Sequence, residues 1–128
     1  MAQFADVVEI DAPAEAVAGA PVNITVRIKN LYSDLMSIMV VGSLEYGVSP
    51  WPNVVFPVDW ATLGPDEVFE FAGSFTMPGS QVTLHAYSAW YGDDGSWYFD
   101  DEMTQVVGVS QASQLNISNF AIKDFAKV

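Results

Sequence analysis

The sequence contains no cysteine, a single histidine and only four lysine and arginine residues among its 128 residues. Without cysteine the chain forms no disulfides and offers no thiolate ligand to a metal ion. The lone His85 leaves nucleophilic mechanisms with one possible imidazole base, and no Gly-x-Ser-x-Gly segment occurs. The 16 acidic residues leave a carboxylate pair for glycoside hydrolysis open, but no pair stands out. We therefore predict that the protein is not an enzyme.

The shortage of basic residues gives the chain a net charge of −12 at pH 7. Such a surface repels phosphate backbones and anionic lipid, so nucleic acid is not an expected partner. The strongest apolar run covers only residues 38–41, whereas about 20 residues are needed to span a bilayer, so membrane insertion is not expected. Residues 1–4 lack the basic and apolar character of a signal peptide, and none is predicted.

What the sequence does contain is a strict alternation of apolar and polar residues, which is typical of half-buried β-strands. In the clearest case Val22, Ile24, Val26 and Ile28 share one side of a strand. With no helical stretch, the pattern predicts an antiparallel sandwich of about seven short strands. The main strands are predicted at residues 4–10, 21–30, 37–46, 67–77, 81–90 and 97–109.

Proline and glycine interrupt the strand pattern. Residues 14–18 lie between Pro13 and Gly19 and are predicted to form a loop. Prolines leave room for at most a short edge strand at residues 54–56, and Gly73 is predicted to lie at a bulge. The side chains predicted to form the core are Val22, Ile24, Val26, Ile28, Val40, Leu44, Phe69, Phe71, Phe75, Val82, Leu84 and Ala86.

Three stretches resemble a known class of domain. They are Ala-Pro-Val-Asn-Ile-Thr-Val at residues 20–26, Leu-Gly-Pro-Asp-Glu at 63–67, and Phe-Thr-Met-Pro-Gly at 75–79 before the strand at 82–86. Together they resemble immunoglobulin-like modules of the fibronectin type III kind, including cell-adhesion-related domains of bacteria and archaea. The resemblance implies an all-β, antiparallel immunoglobulin-like β-sandwich over residues 1–109. Such modules serve as spacers, adhesins or virion decorations, and the fold does not choose among these roles.

Aromatic residues in or beside the predicted loops are the candidates for partner contact. Three explanations are open: the rings close the ends of the core, contact another protein, or stack on sugar. Rings in one plane on an exposed face would favour sugar, whereas rings packed on the core would favour a structural role. The candidates are Trp51, Trp60, Trp90, Tyr91, Trp97 and Tyr98.

Acidic residues around the hairpin at residues 92–96 are candidate calcium ligands, because calcium prefers several hard oxygen ligands. They are Asp93, Asp94, Asp100 and Asp101, and their spacing does not match an EF-hand loop. The alternative is a solvated turn, in which aspartate is common because it bonds to its own backbone. No other cofactor is predicted.

Residues 110–128 are predicted to be a separate C-terminal linker and docking tail, or an extra strand. Lys123 and Lys127 are half of all the basic residues, in a segment that is also apolar. We expect this tail to cover its own sandwich or to add as a strand to another subunit; the alternative is the start of a following domain. Its docking residues are predicted to be Leu115, Ile117, Phe120, Ile122 and Phe125.

These observations predict a non-catalytic structural or interaction module. The expected setting is a virion, a surface appendage or a multidomain surface protein, so an extracellular surface or virion location is favoured. The expected partner is a protein, including a second copy of the chain. The alternative is a carbohydrate-binding module that uses the loop aromatics.

Overall fold

The computed structural model describes residues 2–110, and this part of the chain forms strands and no helix. The all-β prediction is therefore confirmed. The eight strands are β1 (Ala5–Asp11), β2 (Glu15–Val17), β3 (Pro21–Asn30), β4 (Met36–Glu45), β5 (Trp60–Leu63), β6 (Val68–Thr76), β7 (Val82–Tyr91) and β8 (Trp97–Ser110).

The strands form two sheets that enclose one core. The first sheet has the order β1-β3-β6, and the second has the order β2-β8-β7-β4-β5. Neighbouring strands are antiparallel except for β2, which runs parallel to β8. The chain thus leaves the first sheet after β1, joins the edge of the second as β2, and returns to the first as β3. This partition of strands is that of an immunoglobulin-like β-sandwich.

The alternation in β3 explains why the sandwich forms. Val22, Ile24, Val26 and Ile28 are buried, and the intervening side chains face outward or are half-buried. Nine residue pairs join β3 to β6 in an unbroken register from Pro21 to Lys29. The predicted core is confirmed except at Phe69, which is half-buried and packs against the core rather than within it.

One sequence-based assignment was wrong for a reason of pairing. The segment predicted as a loop at 14–18 contains β2, because three residues suffice to pair with Gly108, Val109 and Ser110 of β8. At residues 54–56, where at most a short edge strand was expected, the structure has an isolated bridge between Val55 and Ser74. The strand β5 was not predicted, and it pairs with the first half of β4.

Gly73 does not lie at a bulge, because the β3–β6 register shifts nowhere. Its role is to make space for Phe56: a Cβ atom at Gly73 would lie 2.6 Å from the Phe56 ring, and one at Gly42 would lie 3.0 Å from it. Gly42 belongs to the second sheet and Gly73 to the first. Phe56 therefore fills the gap between the two sheets at the β4–β6 edge.

Residues 2–110 include no helix with the length and apolar character required to cross a membrane. The tail predicted from residue 110 onward, with Leu115, Ile117, Phe120, Ile122 and Phe125, lies outside the described residues apart from Ser110.

Candidate interaction face

The outer surface of the five-stranded sheet carries a group of aromatic side chains. Residues directly opposite in neighbouring strands share a face. Met39 of β4 lies opposite both Trp60 and Ala89, and Ala89 lies opposite Phe99, so these four form one row across the sheet. The pair of Tyr91 and Trp97 forms part of the next row. We call Trp60, Tyr91, Trp97 and Phe99 the aromatic face.

The aromatic face is open to solvent. Phe99 is 67% exposed, Trp60 is 53% exposed and Tyr91 is 45% exposed, while Trp97 is half-buried. Single exposed apolar residues are ordinary, whereas here several large rings share one sheet surface. Aromatic side chains are also enriched where protein partners bind most tightly.

The rings on this face are tilted rather than coplanar. Trp60 and Trp97 have centroids 6.5 Å apart and planes inclined at 62°. Tyr91 and Trp97 have centroids 5.1 Å apart and planes again inclined at 62°. With Ser37, Met39 and Asp59, these three rings line a recess of about 460 Å³.

The outer surface of the three-stranded sheet is polar by contrast. Arg27 of β3 contacts Glu9 of β1 at 2.6 Å and Glu70 of β6 at 2.9 Å. Arg27 and Lys29 are the only lysine and arginine residues between positions 2 and 110, and both belong to this sheet. The strands of the aromatic face therefore carry no lysine or arginine, and the two outer surfaces differ in both polarity and charge.

The structure separates the six predicted aromatic candidates into three places. Trp60, Tyr91 and Trp97 meet on the aromatic face. Trp90 and Tyr98 instead stack on each other at 4.8 Å, and Phe4 contacts the Trp90 ring edge to face at 5.0 Å. That group lies at one end of the sandwich, where it closes the core. The third place holds Trp51, in the loop between β4 and β5.

Trp51 takes part in a stack around His85, whose side chain is only 15% exposed. The His85 ring lies nearly parallel to Trp51 and to Tyr87, with centroids 5.9 Å and 6.0 Å away. Its two nitrogens contact Glu45 at 2.7 Å and Glu102 at 2.6 Å. The hydrogen bond to Glu45 is the largest cause of a raised His85 pKa, with Glu102 adding to it and partial burial opposing both. His85 is thus one member of a stack of rings and is hydrogen-bonded to two carboxylates.

Two of the four candidate calcium ligands accept hydrogen bonds from backbone amides. Asp100 accepts hydrogen bonds from the amides of Gln3, Phe4 and Ala5, each at 2.7 Å, and Asp101 accepts one from Val7 at 2.9 Å. Both lie where β8 has one more residue than β7, since Tyr87 pairs with Glu102 but Ala89 pairs with Phe99. This bulge turns the two carboxylates toward β1.

Two of these carboxylates, those of Asp101 and Asp94, form hydrogen bonds with other ionisable side chains. Burial is the largest cause of a raised pKa at Asp6, and its hydrogen bond to Asp101 adds to the increase. In the hairpin, the Tyr98 hydroxyl donates to Asp94, which lowers the pKa of Asp94 and raises that of Tyr98. Asp93 is exposed. Between residues 2 and 110, no three acidic or histidine side chains converge in a way that suits a metal ion.

Sequence reasoning missed Phe99, Met39 and Asp59 as members of this surface. Phe99 has the same parity as Trp97 in β8, so a stricter use of alternation would have found it and separated it from Tyr98. Met39 lies in the strand predicted at residues 37–46 but is not among the candidate contact residues. Asp59 precedes a strand that was not predicted, and no sequence signal marks it.

No protein-family model matches the sequence, and no curated protein sequence matches it. Solved structures share the fold. The CARDB domain of a Pyrococcus furiosus protein, described in complex with di-metal ions, is 17% identical with a TM-score of 0.58, and the match covers 84% of this chain and 90% of that chain.

Two further solved structures share this fold. Escherichia coli alpha-2-macroglobulin, from domain MG7 to the C-terminus, is 19% identical with a TM-score of 0.62, over 88% of this chain but 17% of that chain. The PKD domain of an M14-like peptidase from a Thermoplasmatales archaeon is 14% identical with a TM-score of 0.51, over 87% of this chain and all of that chain (100%). At these identities the likeness concerns the fold alone, and it confirms the immunoglobulin-like β-sandwich.

Proposed function

We propose that this chain is a non-catalytic interaction module that binds a partner protein through its aromatic face. The observation that carries the proposal is the grouping of Trp60, Tyr91, Trp97 and Phe99 on one outer sheet surface. A soluble domain gains no stability from exposing such rings, whereas a partner that covers them removes a large apolar area from water. The expected setting is a larger assembly: a virion, a surface appendage or a multidomain surface protein.

The charges near the aromatic face define the kind of partner. Glu45, Asp59 and Glu102 lie on or beside this surface, and Arg27 and Lys29 lie on the other sheet. The net charge of −12 adds a long-range attraction for positive surfaces. The partner surface should therefore combine apolar side chains with lysine or arginine.

A sugar ligand is the second candidate, since exposed tryptophan rings stack on sugars. A long sugar chain is best served by rings that lie in one plane, but the rings of this face are inclined at 62° to each other. The tilt favours an irregular partner surface, into which each ring inserts separately. The protein partner is for this reason our first choice.

The proposal is tested by site-specific photo-crosslinking in the cells that produce the protein. A photoreactive residue at position 99 should give a discrete adduct with another protein, and the Trp60→Ala substitution should abolish it. The matched control is position 68 on the three-stranded sheet, where Val68 is also an exposed apolar residue. Equal adducts from both positions, or none from position 99, would contradict the proposal.

The sugar alternative is tested by electrophoresis of the protein through gels that contain soluble polysaccharides. We expect unchanged mobility. Retardation that disappears in Trp60→Ala but persists in Val68→Ala would show that the aromatic face binds a polysaccharide rather than a protein.

A further inference from the structure

The recess on the aromatic face is bounded by rings on two sides and by a carboxylate. Trp60 is contributed by β5, while Tyr91 and Trp97 come from the paired ends of β7 and β8. Ser37 and Met39 of β4 and Asp59 complete the lining. The Val40 amide donates to the backbone carbonyl of Asp59 at 2.9 Å, which fixes the main chain just before Trp60. The recess is thus formed on regular strands rather than on long loops.

The ring geometry suits a compact cation. An aromatic ring attracts a positive charge to its face when the charge lies within about 6 Å of the ring centroid. The rings of Trp60 and Trp97 pack edge to face, with centroids 6.5 Å apart and planes inclined at 62°, so a group in the corner beside both rings lies close to that distance from each centroid. Tyr91 packs against Trp97 at 5.1 Å and adds a third ring. A flat platform of coplanar rings would not surround a charge in this way.

The surrounding charge also favours a cation. Asp59 supplies a negative group at the recess, and Arg27 and Lys29 lie on the other sheet, so neither can occupy it. A primary ammonium is strongly hydrated and needs hydrogen-bond acceptors when it loses water. The exposed surface of the lining is mostly apolar, which suits a methylated ammonium because it needs no acceptor and presents apolar methyl groups to the rings.

We infer that the recess binds a small organic cation with a trimethylammonium head group. In the complex, Trp60, Tyr91 and Trp97 contact the methyl groups and Asp59 balances the charge. This goes beyond the proposed protein partner: it assigns a small-molecule ligand to one part of the same face, and either proposal can fail while the other stands.

The test measures binding of choline to the full chain by following ¹H–¹⁵N chemical shifts, including the indole signals of the four tryptophans. We expect saturable shifts for the indoles of Trp60 and Trp97 and little change for Trp51. Because ring contacts of this kind contribute a moderate attraction each, Trp60→Ala should weaken binding by about tenfold. Asp59→Asn should weaken it by a smaller factor. Val68→Ala is the control, since Val68 is an exposed apolar residue on the three-stranded sheet and does not line the recess.

The neutral isostere 3,3-dimethylbutan-1-ol separates charge recognition from general apolar binding, because it has the shape of choline without the charge. We expect it to bind much more weakly. Equal binding of the two compounds, or no indole shifts at tens of millimolar choline, would overturn the inference. Binding of a trimethyllysine peptide without binding of choline would also overturn it, since the cation would then belong to a protein partner.

Discussion

The Ser88 hydroxyl donates a hydrogen bond of 2.6 Å to the backbone carbonyl of Ala5 and accepts one of 3.0 Å from the Asp101 amide. Ser88 is fully buried, and the three residues belong to β7, β1 and β8. The hydroxyl therefore joins the two sheets at the point where β8 bulges. Since β1 and β8 belong to different sheets, no ladder of backbone hydrogen bonds connects them there.

We predict that Ser88→Ala lowers the free energy of unfolding by about 1–3 kcal/mol, because it removes both the donor to the Ala5 carbonyl and the acceptor of the Asp101 amide. Chemical denaturation measures the change. Ser37→Ala is the control: its hydroxyl contacts only Thr62 in an exposed pair, and its loss should cost less than about 0.5 kcal/mol. Equal effects of the two substitutions would contradict this account of Ser88.

Asp100→Asn should free the start of β1. The carboxylate accepts three backbone hydrogen bonds, and an amide group in its place presents N–H atoms to N–H donors. We expect a loss of about 1–3 kcal/mol in the free energy of unfolding and faster hydrogen exchange at Phe4 and Ala5.

Calcium should not stabilise the protein. Since Asp100 and Asp101 already accept hydrogen bonds from backbone amides, millimolar calcium should leave the melting temperature unchanged. An increase that Asp94→Asn abolishes would establish the calcium site instead.

The pH dependence of stability should contain a contribution from His85. Its pKa is raised in the folded protein above the ordinary 6.5, so the protonated form is favoured by folding. The stabilisation is fully present below pH 6.5 and disappears as the pH rises through the folded-state pKa. His85→Gln should therefore destabilise the protein more at a pH of about 5.5 than at a pH of about 9, by about 1 kcal/mol.

The histidine pKa itself can be measured by NMR, because the chain has only one histidine and its ring signals need no assignment. A titration midpoint at or below pH 6.5 would show that the hydrogen bonds to Glu45 and Glu102 do not favour the protonated imidazole. Glu45→Gln should lower the midpoint, since the hydrogen bond to Glu45 is the largest cause of the increase.

Gly73→Ala should destabilise the sandwich by about 1–3 kcal/mol, because the new Cβ would overlap the Phe56 ring. Phe56→Ala removes the obstacle, so the double variant should lose less than the sum of the single losses, as thermal or chemical denaturation would show. Gly64→Ala serves as control, since a Cβ there meets only the Glu67 side chain at 3.6 Å. If the losses of the two single variants add up in the double variant, the Phe56 ring does not lie against Gly73.

Removal of residues 111–128 tests the predicted docking tail. We expect the shortened chain to lose either stability or self-association, measured by thermal unfolding and light scattering, because the tail combines large apolar residues with two lysines. A shortened chain unchanged in both properties would identify the tail as a connector to a following domain.

The sequence by itself determined the six longer strands and, for β3, β4, β6 and β7, their inward sides. Alternation at Val22, Ile24, Val26 and Ile28 leaves a strand with only one side to bury. The lack of long apolar runs argued against a membrane-spanning segment, and the lack of cysteine ruled out disulfides. Local pattern was enough here because the period of a strand is a property of neighbouring residues.

Tertiary structure decided which aromatic residues meet. Trp60 and Trp97 are far apart in the sequence and become neighbours only because β5, β4, β7 and β8 align in that order. The β8 bulge decides that Phe99 stays on the outer surface while Asp100 and Asp101 turn to β1. Strand order and bulge position depend on pairing between distant segments, and alternation within one segment carries no information about either.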